Sequence, residues 1–270
     1  MIATRWERRR GIEVLAWSAL EPVVDAVVTT RRGGVSTGPY GSLNLGLHVG
    51  DDPASVLANR AAAAGALGAG LGDLVLARQV HGDRVVVVGP GDAGRGSCTE
   101  ASAIADADGL VTADPAPVLA VLAADCAPIV LCDPGRGVLG VAHAGWRGTV
   151  AGIAARTLEA MVALGARSDH VVAGIGPAVA PGDYQVDEAV ARPALAALGP
   201  DGAALVPPDG PGHWTFDLVG ANALLLAQAG VRPGHIHLAP VSTGGDGPFF
   251  SDRAERPCGR FGLLARLRGA

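Results

Sequence analysis

Short apolar runs, each closed by Gly, Pro or Asp, recur along most of the chain and predict strands. Val23 to Thr30 is the first, followed by a glycine-rich loop from Arg31 to Tyr40. Leu74 to Val80 and Arg84 to Val88 read as two strands around His81-Gly82-Asp83. Residues 89–103, rich in Gly and small polar residues, form a loop before Leu110 to Thr112. Val118 to Ala123, Ile129 to Cys132 and Val138 to Ala142 follow, the last two flanking the turn signal Asp133-Pro134-Gly135-Arg136-Gly137. Val171 to Ile175, Ile236 to Val241 and Phe261 to Arg266 are the late strands.

Helical stretches interrupt this pattern. Asp51-Asp52-Pro53 supplies an N-cap and a proline at the first helical position, and an alanine-rich run continues to Leu67. Thr149 to Leu164 has helical periodicity and stops at Gly165, Asp183 to Leu198 is partly helical, and Asp217 caps a helix to Ala229. Strands and helices mix without a βαβ rhythm. The expectation is an α+β fold with mostly antiparallel pairing, over a single domain at 1–270.

Composition narrows the class. Hydrophobic residues are 49% and aromatics 4%, so a sizeable aliphatic core is available. All 21 basic residues are arginine, a composition bias and not a functional signal. The net charge of -5 and the lack of a basic stripe argue against a nucleic-acid partner. Arg8-Arg9-Arg10 before an apolar stretch faintly resembles a signal peptide, but Glu13 and Glu21 break the stretch, and no membrane partner is expected. Cysteines at 98, 126, 132 and 258 form no C-x-x-C pair, which fits a reduced, cytoplasmic protein.

Chemistry concentrates around the Gly135 turn. If its flanks form a hairpin centred there, position 127 faces 143, and Cys126 and His143 meet near the open end within one residue of register. A thiol and an imidazole so placed make either a metal corner or a Cys–His catalytic pair. Ala144-Gly145-Trp146-Arg147-Gly148 then leads into a helix, and a helix N-terminus with an arginine beside it suits an anion. His81 sits at a turn between strands, where a side chain can leave the core, but spacing alone does not bring it to Cys126. His48 is either a ligand or a loop-orienting residue, and Cys98 and Cys132 read as loop and core.

The ordered set of motifs resembles the YfiH family. It comprises Thr29-Thr30-Arg31, Gly33-Gly34-Val35-Ser36, Ser42-Leu43-Asn44-Leu45-Gly46, Asn59-Arg60, Gln79-Val80-His81-Gly82, Asp106-Ala107-Asp108-Gly109, Ala124-Asp125-Cys126-Ala127-Pro128, His143-Ala144-Gly145-Trp146-Arg147-Gly148 and Ile175-Gly176-Pro177. That family also carries the labels laccase-like polyphenol oxidase, purine nucleoside phosphorylase and peptidoglycan editing factor. The resemblance implies a four-layer α-β-β-α sandwich and zinc ligands at His81, Cys126 and His143. It implies phosphorolysis of adenosine, inosine and methylthioadenosine, and possible adenosine deamination, so the expected partners are a small-molecule nucleoside and phosphate. Arg31, Arg60 and Arg147 become candidate phosphate or ribose clamps, Arg31 and Arg60 ahead of Arg147, which can instead pack on Trp146. Asn44 and Gln79 become candidate amide contacts to base or sugar.

Other readings stay open: a metal-free Cys126/His143 hydrolase editing peptidoglycan precursors, a polyphenol oxidase with copper, or a nonenzymatic metal- or nucleotide-binding protein. The copper reading is weak in ligands, since multicopper sites need many histidines and the chain has 7. Near the C-terminus the family's Cys-Thr pair and Phe-Phe-Ser-Tyr-Arg run read Ser242-Thr243 and Phe249-Phe250-Ser251-Asp252-Arg253, so the Cys and Tyr are missing.

Overall fold

The computed structural model describes residues 4–21 and 23–269. In chain order its strands are β1 (Arg5–Arg9), β2 (Ile12–Ala16), β3 (Val24–Thr29), β4 (Leu74–Leu76), β5 (Val85–Val87), β6 (Gly109–Thr112), β7 (Val118–Ala123), β8 (Ala127–Asp133), β9 (Val138–Ala144), β10 (Val172–Ile175), β11 (Gln185–Asp187), β12 (His213–Thr215), β13 (Ile236–Leu238) and β14 (Phe261–Leu267). The α-helices are α1 (Pro53–Gly65), α2 (Trp146–Ala151), α3 (Ile153–Ala163), α4 (Glu188–Leu198) and α5 (Leu218–Gln228). No helix among the described residues is long and apolar enough to cross a membrane.

Two six-stranded sheets, ordered β1-β2-β3-β14-β7-β4 and β13-β10-β8-β9-β6-β5, carry the fold. Pairing is antiparallel except at β4/β7, β5/β6 and β10/β13. Side-chain alternation along each strand builds the layers. Val130 and Cys132 of β8 join Val28, Val121 and Leu263 of the facing sheet in one buried core. Ile129 and Leu131, one residue out of phase, pack with Met161 of α3, Ala191 of α4 and Leu226 of α5. On the far face of the first sheet, Val27, Ala120 and Leu264 pack with Ala63 and Ala64 of α1. The result is the four-layer α-β-β-α arrangement.

Several elements depart from the sequence pattern. The arginine-rich N-terminal stretch is the hairpin β1–β2, turned at Arg10 and Gly11 with φ of 47° and 93°, and β2 pairs with β3. The helix expected at Thr149 begins at Trp146 and breaks at Gly152, whose φ of 84° ends α2 after six residues. So short a helix offers little dipole, and the anion site expected there on that ground is withdrawn. The strand expected from Leu74 to Val80 stops at Leu76, and β5, the strand that follows it, lies in the other sheet.

Candidate metal centre

That last departure creates the site. Two connections, β4 to β5 and β7 to β8, each pass from one sheet to the other, and they carry His81 and Cys126. Parallel pairing of β4 with β7 and of β5 with β6 puts both crossings at one end of the sandwich. The β8–β9 hairpin opens at that same end, with Ala127 opposite Ala144 and Pro128 opposite His143. The observed register is one residue from that expected for a turn centred on Gly135.

His81, Cys126 and His143 converge, their donor atoms all within 4.8 Å of one another. The two imidazole rings stand edge to face with centroids 4.8 Å apart. Among the described residues this is the one group of three or more His, Cys, Asp or Glu side chains so placed. Gly145 makes the convergence possible: a Cβ there would lie 2.8 Å from His81 Cδ2 and 2.9 Å from Cys126 Sγ. Two crossing residues hold left-handed backbone, His81 at φ 60° and Asp125 at φ 85°, a conformation that non-glycine residues rarely take without surrounding constraint.

The constraint on His81 is Asp108, just before β6 and 1% exposed. Its Oδ2 accepts the N–H groups of Val80 (3.1 Å) and Gly82 (2.8 Å). Its Oδ1 accepts the His81 N–H (3.0 Å) and pairs with His143 Nδ1 (2.9 Å). One carboxylate therefore fixes the turn carrying one ligand and the ring of another. Asp108 falls within the motif Asp106-Ala107-Asp108-Gly109, which by itself assigns it no role. The available signal was that a ligating histidine needs an acceptor for its second nitrogen.

Electrostatics follow from this packing. Burial pushes the Cys126 thiol up, but the charge of His143 and hydrogen bonds from His143 and His81 outweigh it and bring the thiol down to about 6. Burial pushes His143 down, yet the facing Cys126 charge and the Asp108 bond lift it to about 9. Asp108 lies below the ordinary carboxylate range despite burial, because His143 and the Gly82 and Val80 N–H groups stabilise its charge. A thiolate, two imidazoles and an outer carboxylate on one of them form a donor set suited to a borderline or soft divalent metal. The residues fit a single ion; three donors fall well short of a multicopper array.

The cluster lies in a cleft of about 730 Å³, within the size range of small-molecule sites. Gln79, Arg60 and Arg147 line it, as do His48, Trp146, Tyr184 and Arg253. Arg147 lies over the Trp146 ring at 4.3 Å. Gln79 exchanges both amide bonds with Leu122 of β7 at 2.8 Å, tying the His81 connection to the sheet. Arg60 is 4% exposed, and its Nε and Nη1 donate to the carbonyls of Leu45, Gly96 and Ser97 at 2.7 Å each.

Two expected contacts lie elsewhere. Arg31 is not on the cleft wall: it pairs with Glu255 at 2.5 Å, donates to the Gly41 carbonyl and lies over Phe250. Asn44 is fully buried, its amide donating to Asp51 and Gly46 and its oxygen accepting from Gly46 and Arg260 N–H. A polar loop bends away from the sheet here, and these side chains satisfy its backbone. The clamp role for Arg31 and the substrate contact for Asn44 are corrected accordingly.

A four-layer sandwich with a His-Cys-His cluster at the crossing between its sheets defines a distinct class of candidate metal-site protein. Residues 25–268 match the family described as multi-copper polyphenol oxidoreductase laccase, and the chain belongs to that laccase-like family. It is similar to the YlmD structure from Geobacillus stearothermophilus, with a TM-score of 0.94 and 35% identity over 100% of both chains. It is also similar to YfiH from Bacillus licheniformis, with a TM-score of 0.93 and 33% identity over 97% and 99%. Curated relatives include Purine nucleoside phosphorylase Rv2149c of Mycobacterium tuberculosis, 42% identical over 88% of this chain and 90% of that one. Purine nucleoside phosphorylase YlmD of Geobacillus stearothermophilus is 40% identical over 86% and 85%.

Proposed function

We propose that the chain is a zinc-dependent purine nucleoside phosphorylase acting on adenosine, inosine and methylthioadenosine, with adenosine deamination as a side activity. The observation that carries this reading is the His81–Cys126–His143 cluster, held by Asp108, on the wall of a cleft of nucleoside size. The names of the curated relatives support the substrate class.

His81, Cys126 and His143 would hold the zinc. When bound, zinc would supply a Lewis acid able to polarise a substrate group or acidify a water. The chain's own residues do the rest. Trp146 and Tyr184 give aromatic surface for a purine. Arginines on the wall offer an oxyanion a place beside the sugar. In phosphorolysis a phosphate oxygen bonds to ribose C1′ while the C1′–N9 bond breaks. The electron pair leaves with the purine, and the proton brought by hydrogen phosphate ends on the purine nitrogen. Atoms balance as free base and ribose 1-phosphate. Copper could bind the same donors, but one three-donor cluster does not build the several centres of a multicopper oxidase.

The test is metal analysis and product analysis on one preparation. Protein purified without chelator should carry about one zinc per chain. Adenosine, inosine and methylthioadenosine should give free base and ribose phosphate (its methylthio analogue from the last) only when phosphate is supplied. Inosine formed from adenosine at a rate indifferent to phosphate, with no free base, would leave deamination as the main activity.

One observation favours a second reading. Asp108, His143 and Cys126 stand in the order orienter, base, nucleophile, as a cysteine hydrolase editing cell-wall precursors would need. In that case substrate would leave a covalent adduct on Cys126, visible by mass spectrometry, and His81→Ala would leave turnover intact. Under the phosphorylase reading, His81→Ala removes metal and turnover together.

A further inference from the structure

Six arginines line the cleft, and four are spoken for by their neighbours. Arg78 pairs with Asp106, and Arg256 and Arg260 both pair with Asp252. Arg60 is engaged by three backbone carbonyls. Arg147 and Arg253 differ. Neither guanidinium pairs with a carboxylate among the described residues. Each lies over an aromatic ring of the same cleft, Arg147 over Trp146 at 4.3 Å and Arg253 over Tyr184 at 5.9 Å.

Stacking fixes the plane of a guanidinium while leaving its N–H edge free, which suits bidentate contact with an oxyanion. Both arginines and both rings line the one cleft that also holds Cys126.

The placement of Arg253 is built. Asp125, the left-handed residue beside Cys126, accepts the Thr243 hydroxyl at 2.5 Å and the Arg253 N–H at 2.6 Å. Arg253 Nη2 also donates to the Gln185 carbonyl at 2.7 Å. One carboxylate next to a cluster cysteine therefore anchors the C-terminal loop carrying Arg253, and the Gln185 carbonyl holds one edge of its guanidinium, leaving the other N–H groups to a ligand. Thr243, kept beside the serine that replaces the family's cysteine, supplies half of that anchor.

We propose that Arg147 and Arg253 form the oxyanion subsite of this cleft, with Asp125 as the residue that positions Arg253. The ligand is a phosphate group. Under the phosphorylase reading, on which this assignment of the co-substrate rests, it is inorganic phosphate beside ribose C1′. A phosphate carried by the substrate itself has the same chemistry at the same pair.

Equilibrium dialysis with labelled inorganic phosphate, and separately with a purine nucleoside 5′-monophosphate, tests the subsite without turnover. Wild type should bind one of the two. Arg147→Ala and Arg253→Ala should each weaken that binding at least about tenfold, and Arg253→Lys should fall between, since it keeps charge without the fork. Arg232→Ala, which removes an exposed arginine outside the cleft that pairs with Asp169, should change little. In steady-state phosphorolysis of inosine the same two Ala variants should raise the phosphate KM about tenfold or more and hold the nucleoside KM within about twofold. Asp125→Asn should raise the phosphate KM in the same sense and leave the secondary structure seen by circular dichroism intact.

The outcomes separate the two ideas. Phosphate binding lost in both variants of a protein that makes no ribose 1-phosphate upholds the subsite and rejects the phosphorylase reading. Monophosphate binding lost with inorganic phosphate indifferent upholds the pair and assigns its phosphate to the substrate. Binding of both ligands unchanged in Arg147→Ala and Arg253→Ala overturns the subsite, whatever the enzyme turns over.

Discussion

The β8–β9 hairpin has two ends, and each holds a cysteine and a buried aspartate. At the open end Cys126 meets His81 and His143, and Asp108 joins them. At the turn end Cys132 lies in the apolar core between the sheets. There Asp133, fully buried, accepts the N–H groups of Gly135, Arg136 and Arg167. The thiols stand far apart in acidity, Cys126 near 6 and Cys132 near 12. Both are buried enough to resist ionisation, so burial alone does not separate them. What separates them is what stands alongside: His143 of the same hairpin and His81 from a sheet crossing at one end, the apolar core and a carboxylate at the other.

The sharpest break of this contrast is Cys126→Ala. Zinc content should fall from about one per chain to near zero, and turnover with inosine should fall by at least about a thousandfold. Metal analysis beside the rate assay checks it; full zinc retention would reject the ligand assignment. Cys132→Ala should leave zinc unchanged.

The aspartates give the next largest difference. Asp108→Ala should weaken zinc binding roughly ten- to a hundredfold, because an outer carboxylate orients its ligating histidine. Asp133→Ala should leave zinc affinity alone and cost about 2 kcal/mol of stability through unsatisfied turn N–H groups. Competition with a chromogenic chelator and urea denaturation of both variants separate the effects. Equal losses of zinc affinity in the two would erase the distinction.

The hairpin end of the site was legible because one chain segment determines it. A strong turn signal between two apolar runs fixes which residues face each other, and Cys126 and His143 follow within a residue. His81 was not legible from spacing. Its placement depends on β4 and β5 lying in different sheets, a fact of non-local pairing that the run from Leu74 to Val88 does not encode locally. The resemblance supplied it instead. The four-layer fold came the same way, since apolar runs do not say which sheet they join. The polar motif residues were harder to read: Arg31 and Asn44 on loops and Arg60 on α1 look like ligand contacts by type, yet each bonds loop backbone or pairs with a neighbour. Polar side chains on long irregular segments first have to satisfy that backbone.

Arg60 tests that lesson. Arg60→Ala should cost about 2 kcal/mol of stability, since the carbonyls of Leu45, Gly96 and Ser97 lose their donor. The midpoint of urea unfolding should fall, and the phosphate KM should stay within about twofold. An unmoved midpoint with a raised phosphate KM would restore Arg60 to the substrate.

The smallest effect lies at the turn end and shows only at alkaline pH. Burial, reinforced by the neighbouring Asp133 charge, pushes the Cys132 thiol up to about 12, whereas an unfolded cysteine ionises near 8.5. The folded state therefore holds a proton that the unfolded state releases first. Stability from this source is fully present below about 8.5 and is lost progressively as pH rises toward 12. By pH 9.5 the loss relative to pH 7 should be about 1.4 kcal/mol. Cys132→Ala removes the titrating group, and at neutral pH it should cost about 1 kcal/mol for lost packing. That deficit should close by pH 9.5, because only the wild type loses the thiol's contribution over the interval. Urea unfolding of both proteins at the two pH values measures the gap. A gap that stays constant would mean that Cys132 ionises at the same pH folded and unfolded, and that the aliphatic core does not hold its proton.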